Sequence, residues 1–539
     1  MTELRTGGEA AISALEAAGV EVVFGIPGVH TLSLYDALQG SSICHILARH
    51  EQGAGFMADG YARATGKPGV AIIITGPGIT NVATPVGEAY SDSSPVVIIS
   101  SQIERPYRNA MRGNLHDIRD QSGLMRILAK KSVSVDAFDQ IATEVFNAIK
   151  DSVSGRPRPI HVELPIDLLA EKGRAGMPAP TSGYRPAPSL DQIEEATKLL
   201  TGATKPVIYV GGGAVGASAA ITEIASLLGA PVISSVMGKG VVSEDHDYGL
   251  GHAWNPWGDS NPADDLLNAA DVMIVFGSKL GAQETNHWKM PVPDTLIRVD
   301  IDPAEVANNY GRATLEIIAD AGATADALLE SLRPHRDAIT PGTSPDEVQA
   351  LRDKILGGDD PDMPFGAHIR ALRAAIPRDG IIVQDMTMMS YRMNELYPAY
   401  APRTYLFPST YGTLGFSLPA AIGAKIGKPD TAVVAIAGDG GFQFTMQEVA
   451  TAVQFKVALP IVIFNDSTYT AVKDAMHWTY GEERSMAVDL VNPDYVKLAD
   501  AYGIPGVRVD QPADLQAAVI SALAHDGPTI IDVPIPKVV

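Results

Sequence analysis

Three consecutive α/β domains, each with a mainly parallel sheet flanked by helices, are the fold class that this sequence predicts. Three observations carry it: a length of 539 residues, short β-rich apolar runs alternating with longer helical patterns, and two Pro/Gly-rich breaks. A chain this long exceeds what a single core serves, and roughly 100–200 residues per domain gives about three units. The breaks at 173–189 and 334–364 divide it into 1–180, 190–335 and 360–539.

Taken in order, the first unit shows apolar runs at 20–24, 43–47, 70–75 and 96–100, with a helical pattern over 51–65. The middle unit repeats the alternation at 206–210, 231–234, 272–276 and 296–299, and the last at 380–384, 431–437, 460–464 and 529–533. Continuous rather than alternating apolar runs mark strands buried on both faces, the habit of parallel sheets wrapped by helices. No short-period repeat is present.

Hydrophobic residues make up 46% and charged residues 19%, an ordinary globular balance. The formal charge of −22 repels phosphate backbones and anionic membrane surfaces, which argues against nucleic acid and membrane partners. No basic flank leads into an apolar run near Met1, and no stretch approaches the ~20 apolar residues that span a bilayer, so a soluble cytoplasmic protein is expected. The single cysteine, Cys44, permits no internal disulfide, and its apolar surroundings predict a buried packing residue.

The most informative stretch is the apolar run 432–437, then Gly438-Asp439-Gly440-Gly441, then a helix-like segment over 445–454. Strand, glycine turn and helix form a diphosphate cradle: glycines let backbone N–H groups approach, a helix N-terminus favours negative charge, and an Asp can hold a neutralising metal. By itself the same pattern is also an ordinary left-handed turn. A second strand, 460–464, ends in Asn465-Asp466-Ser467-Thr468-Tyr469, placing more oxygen ligands at the same sheet edge.

These segments, 27 residues apart (466 − 439), resemble the signature of thiamine diphosphate enzymes. The resemblance implies that Asp439, Asp466 and the carbonyl of Thr468 hold Mg²⁺, with Gly438, Gly440, Gly441 and Tyr469 around the diphosphate. Position 466 carries Asp where the family usually has Asn, which keeps a hard oxygen ligand but adds charge; Asn465 is the substitute ligand if the alignment slips by one. Near the N-terminus, Phe24-Gly25-Ile26-Pro27-Gly28, Arg49-His50-Glu51-Gln52-Gly53-Ala54 and Thr75-Gly76-Pro77-Gly78-Ile79-Thr80-Asn81 each follow an expected strand and resemble the family's aminopyrimidine half. Pro27, Gly28, Pro77 and Asn81 are implied to line it, and Glu51 to be the acid against pyrimidine N1′. Read without the resemblance, Glu51 is a glutamate in a first helical turn, favoured by the helix dipole. The segment from Tyr411 to Ala424 resembles the part that bends the cofactor, with Leu414 as the wedge between its rings and the Gly412 carbonyl accepting from the 4′-amino group. Asp385-Met386-Thr387-Met388 resembles the loop on the other side of the diphosphate, which assigns Thr387 and Met388 to it.

Gly211-Gly212-Gly213-Ala214-Val215-Gly216 fits a dinucleotide fingerprint, yet no acid ends the next strand to hold a ribose, which argues against NAD. Acetolactate synthases, which this chain also resembles, bind FAD in the middle domain. Met237-Gly238-Lys239-Gly240 is shared with them, whereas Gly249–Trp254 and Gly277-Ser278-Lys279-Leu280 depart from their pattern, so FAD is not the expectation. His246, His252 and His287 lack metal-ligand spacing and read as surface or packing residues.

The resemblance implies decarboxylation of a small 2-oxo acid, with carboligation to a second carbonyl as an alternative outcome, in a homodimer or homotetramer whose sites lie between subunits. Val472 stands where decarboxylases place a proton-delivering glutamate, which leaves His116 as the candidate, with Gln121 nearby; a loop histidine is otherwise structural. The runs 24–32 and 53–57 particularly resemble 5-guanidino-2-oxopentanoate decarboxylases. Glu482 or Glu483 would then meet the cationic tail, or form a solvated acidic pair. A flavin-bearing acetolactate synthase and a non-catalytic cofactor-binding paralogue are the competing readings.

Overall fold

A computed structural model describes residues 4–174, 176, 183–254, 261–311, 313–357 and 363–536, leaving the side chain of Glu482 aside. It contains three six-stranded parallel sheets. The first comprises β1 (Val22–Gly25), β2 (Cys44–Leu47), β3 (Gly69–Ile73), β4 (Val96–Gln102), β5 (Lys131–Ser134) and β6 (Ile160–Pro165), ordered β2-β1-β3-β4-β6-β5, with helices α1 (Glu51–Thr65) and α2 (Pro77–Ser91) between strands. The second comprises β7 (Pro206–Val210), β8 (Val232–Ser234), β9 (Gly249–Gly251), β10 (Val272–Phe276), β11 (Thr295–Asp300) and β12 (Leu315–Ile318), ordered β9-β8-β7-β10-β11-β12. The third comprises β13 (Ile381–Gln384), β14 (Tyr405–Leu406), β15 (Val433–Gly438), β16 (Leu459–Asn465), β17 (Gly506–Arg508) and β18 (Pro528–Pro534), ordered β14-β13-β15-β16-β18-β17. The helices that matter to the site here are α3 (Ser417–Gly427), α4 (Asp439–Thr445) and α5 (Thr470–Tyr480).

The first and third sheets share one strand order, a duplication of architecture with no matching repeat of residues. In both, the order reverses beside the first strand, between β1 and β3 and between β13 and β15, and the loops at such a switch point open into a crevice. Those loops are Gly25–Gly28 with Gly76–Asn81, and Asp385–Met388 with Gly438–Gly441.

The two outer sheets are fused by one apolar core that runs from Phe24, Phe56 and Ile73 to Phe416, Leu418, Val433 and Ile461, whereas the middle sheet has its own. At the seam α1 lies on α3 with backbones touching: a Cβ on Gly60 would sit 2.0 Å from the Ala420 carbonyl oxygen, and one on Gly423 1.9 Å from that of Met57. Only glycine permits so close an approach.

Cys44 corrects one expectation. It is exposed, because it opens the edge strand β2, ahead of the cover that buries Ile46 on the same face. His252 is buried and packs as expected, its Nδ1 3.1 Å from the Ser234 carbonyl oxygen, and burial brings it down to about 4.

Candidate active site

Glu51 is the first residue of α1, and His50 caps that helix by accepting the Gln52 N–H at Nδ1 (3.1 Å). The chain just before it is held from the other outer domain, where the buried Glu448 carboxylate accepts N–H groups from Arg49 (3.1 Å) and His50 (3.0 Å). Glu51 Oε2 accepts from Asn81 Nδ2 at 2.9 Å, and its Cγ lies against Gly78. Glu51, Asn81 and the Pro77 turn therefore meet as the sequence predicts. Gly28 lies beside them against Ile74, and Pro27 is exposed on the same loop.

Gln121 does not face this space. It is fully buried: its amide donates to Ser100 Oγ (3.1 Å), Ser101 O (3.0 Å) and Glu163 (3.2 Å), while Oε1 accepts from Thr75 Oγ1 (2.7 Å) and Gly76 N (3.2 Å). With both N–H donors committed, it holds the Gly76 turn from behind rather than touching a substrate. His116 takes the other side of that turn. Its backbone is left-handed (φ 63°), and a Cβ on Gly76 would fall 2.5 Å from its carbonyl oxygen. The His116 ring meets His30 edge-on with centroids 5.2 Å apart, and His30 Nδ1 is buried with no hydrogen-bond partner among the described residues. Burial, then the adjacent His116, bring His30 below the usual histidine range, opposed by Glu104. His30 lies in the run 24–32, where nothing local shows that it faces His116.

In the third sheet Asp439 is itself the first residue of α4, so the helix starts six residues earlier than the expected 445 and a 3₁₀ turn, Met446–Glu448, interrupts it. The glycines are there for close packing rather than a left-handed turn, as none of Gly438, Gly440 and Gly441 has positive φ. A Cβ on Gly440 would strike the Tyr469 ring at 2.5 Å, one on Gly441 the Asp385 carboxylate at 3.0 Å, and one on Gly438 would press on Thr387 Oγ1 at 3.1 Å. Thr387 thus borders the cradle at the N-terminus of the helix that Met388 begins.

Asp466 caps its own loop, accepting from Thr468 N (3.1 Å) and from the Thr470 hydroxyl, with Ser467 left-handed between them (φ 56°). Burial pushes the Asp439 carboxyl up; the Asn492 amide opposes this and the Asp466 charge adds to it. Asn492 is a residue that the sequence reading missed. Its Nδ2 donates to Asp439, to Asn465 Oδ1 (3.0 Å) and to Ser467 Oγ (3.4 Å), a single donor gathered among the oxygens of both segments. Two carboxylates close enough to repel, with carbonyl and amide oxygens around them, make a donor set suited to a hard divalent cation.

Asp385 abuts the cradle at Gly441 and spends its oxygens on neighbouring N–H groups. It accepts the Gly415 N–H (3.1 and 2.9 Å) and that of Met386 (2.9 Å), and burial raises it to about 6. It therefore steadies the segment that carries Gly412 and Leu414.

Three family models match in chain order: the thiamine pyrophosphate enzyme N-terminal TPP binding domain over residues 5–124, the central domain over 193–328 and the C-terminal TPP binding domain over 385–533. The chain belongs to the thiamine pyrophosphate enzymes. Among similar members of this family, a probable 2-ketoarginine decarboxylase of Pseudomonas aeruginosa is 36% identical over 98% of this chain and 93% of its own. A probable acetolactate synthase large subunit of Methanococcus aeolicus is 33% identical over 98% and 91%. The acetolactate synthase isozyme 3 large subunit of Escherichia coli is 32% identical over 97% and 92%.

Proposed function

We propose that this chain decarboxylates a 2-oxo acid with thiamine diphosphate and Mg²⁺, and that its substrate carries a cationic tail. The observation that carries the reading is Glu51, poised at a helix start with Asn81 on its carboxylate and the Gly76 turn beside it, in a chain whose other outer domain presents Asp439 and Asp466 at the matching sheet edge. Asp439, Asp466 and the Thr468 carbonyl would hold the metal, and Gly438, Gly440 and Gly441 keep the approach to the diphosphate free of side chains. When bound, thiamine diphosphate supplies the electron sink that lets a 2-oxo acid lose CO₂. Glu51 holds the proton exchanged at pyrimidine N1′. His116, backed by His30, exchanges a proton with the product carbon or its oxygen, a duty that the exposed, apolar Val472 cannot perform. Glu483 is exposed beyond α5, where it would reach a guanidinium tail, while the side chain of Glu482 lies outside the described residues.

The family resemblance points further to a homodimer or homotetramer in which each site takes its two halves from different subunits. Domain limits at 1–180, 190–335 and 360–539 and a cytoplasmic location complete the proposal; no helix among the described residues is long and apolar enough to cross a membrane.

A second reading, a flavin-bearing acetolactate synthase, is favoured by a cavity of about 400 Å³ between the three domains, lined by Gly212, Gly216, Ser278, Lys279, Arg156 and Arg403. Against it, the neighbouring glycines are explained by packing. A Cβ on Gly211 would meet the Gly277 carbonyl oxygen at 2.3 Å, and one on Gly238 that of Val210 at 2.3 Å.

The deciding experiment incubates purified parent and His116→Phe proteins with pyruvate, phenylpyruvate and 5-guanidino-2-oxopentanoate, scoring CO₂, aldehyde and hydroxy ketone separately and recording visible absorbance. We expect a colourless parent that releases CO₂ and aldehyde chiefly from the guanidino acid, and a His116→Phe protein about 10²-fold slower in aldehyde release. A yellow protein giving mainly hydroxy ketone from pyruvate would establish the synthase reading instead; no CO₂ from any acid would defeat both.

Metal dependence follows from the donor set. Exhaustive chelation should abolish thiamine diphosphate uptake, Mg²⁺ should restore it, and Asp439→Ala should bind the cofactor at least 10²-fold more weakly at any Mg²⁺ level, read by quenching of intrinsic fluorescence. Undiminished affinity in Asp439→Ala would move the metal elsewhere.

A further inference from the structure

The segment that carries Gly412 and Leu414 is gripped by the C-terminal end of α2, more than three hundred residues earlier in the chain. Gly87 leaves room for the Tyr411 ring, which would lie 2.7 Å from a Cβ there. Asp92 accepts the N–H groups of Ser409 (2.9 Å) and Thr410 (3.2 Å). Glu88, fully buried, accepts at Oε2 both the N–H (3.3 Å) and the hydroxyl (3.0 Å) of Thr413. Thr413 N–H and the Gly412 carbonyl belong to one peptide group. In a trans peptide these two dipoles point in opposite directions, and no cis bond occurs among the described residues. Anchoring the N–H on Glu88 therefore aims the Gly412 carbonyl away from α2. Gly412 (φ 73°) and Gly415 (φ 80°) on either side take the left-handed conformations that this orientation needs.

We propose that Glu88 is a positioning residue for the active site: through Thr413 it sets the direction of the Gly412 carbonyl and with it the seat of Leu414. The inference rests on the assignment of Gly412 and Leu414 to the aminopyrimidine side of the cofactor.

The surroundings of Glu88 determine the form in which it acts. Arg63 from α1 pairs with Asp59 (2.8 Å) and with Asp92 (3.1 Å), and stands 3.6 Å from Glu88 Oε1, while the Glu88 and Asp92 side chains are themselves hydrogen-bonded. From the middle domain, Glu284 adds negative charge near Asp92, and Lys279 reaches Ser91 O and Thr410 Oγ1. One guanidinium thus serves three carboxyl groups. Burial, then the charge of Asp92, push Glu88 up to about 9 against the pull of Arg63, while Asp92, despite its burial, is held below its usual range by Arg63. Burial and the charge of Asp92 therefore favour the protonated form of Glu88, whose Oε2 accepts from Thr413. Because the folded value lies above the unfolded 4.5, the stability that this group contributes is complete below about 4.5 and is lost as pH rises through about 9.

The test uses the full-length protein with Mg²⁺ and compares parent, Glu88→Gln and Glu88→Ala. It measures the dissociation constant of thiamine diphosphate and, as a probe of the metal cradle alone, that of inorganic diphosphate, together with the melting temperature from pH 5 to 9.5. Gln keeps an oxygen for Thr413 and cannot ionise. It should match the parent in cofactor affinity from pH 7 to 9.5, because the ionised carboxylate of the parent still accepts from Thr413. Its melting temperature should rise above the parent's progressively as pH increases. Ala should bind thiamine diphosphate about tenfold more weakly while binding inorganic diphosphate as the parent does. Equal thiamine diphosphate affinity in all three proteins across the pH range would overturn the inference and leave the functional proposal standing. No binding of thiamine diphosphate by the parent would instead defeat the functional proposal.

Discussion

Replacing Glu51 by Gln is expected to lower kcat by about 10²–10⁴-fold while thiamine diphosphate still binds. The substitution is nearly isosteric. Asn81 Nδ2, now 2.9 Å from Glu51 Oε2, retains an oxygen to donate to, and the helix start is held independently by Glu448 on Arg49 and His50. Nothing in the metal cradle at Asp439 and Asp466 depends on residue 51 within the same chain. What disappears is the acid proton that Glu51 exchanges at pyrimidine N1′, so the loss should fall on kcat rather than on cofactor affinity. Steady-state turnover on the preferred 2-oxo acid, set beside a fluorescence titration with the cofactor, separates the two. Parent-like turnover in Glu51→Gln would remove the acid from the mechanism.

The largest effect on stability is expected at Arg63. Its guanidinium is buried and binds Asp59 through two parallel hydrogen bonds (2.9 and 2.8 Å), Asp92 at 3.1 Å and the Phe407 carbonyl at 2.9 Å, and lies 4.9 Å from the centroid of the Phe416 ring. Arg63→Met leaves buried carboxylates with no cation between two domains, a loss of about 3–5 kcal/mol. Arg63→Lys should recover only part of it, because an ammonium cannot reproduce the paired geometry on Asp59 while also reaching Asp92. Adding Asp59→Leu to Arg63→Met should restore only part of that stability, since it removes one stranded carboxylate and leaves Asp92 without its cation. Chemical denaturation followed by fluorescence reads all of these as shifts in the first transition. A shift below about 1 kcal/mol in Arg63→Met would show that the cluster is not what ties α1 and α2 to the 407–413 segment.

Much of the fold was legible from the residues. The runs at 206–210 and 272–276 are strands with those limits, and the helix over 51–65 begins and ends where its pattern does. Strand and helix periodicity are properties of neighbours, so a short window contains them. The 27-residue step from Asp439 to Asp466 was equally local, covering one helical segment and the strand that follows it. Less was legible at the site. Gln121 stood near His116 in the sequence and reads as a second chemical group, yet the fold turns it inward onto Ser100, Ser101 and Glu163. His30, Asn492, Glu448 and Arg63 carried no local sign of their roles.

By itself the sequence determined the three α/β units, the loops that end at strand edges, and the chemical types offered there: Glu51 at the front, Asp439 and Asp466 at the rear. Tertiary structure alone decided which of those groups face one another. It started a helix on Asp439, brought His30 onto His116, exposed Cys44 at a sheet edge, and laid Glu88 against Thr413, 325 residues away. The reason is one of range. Backbone preference and apolar periodicity act over a few residues, whereas the direction of a buried carbonyl or carboxyl is fixed by partners that only the closed core delivers.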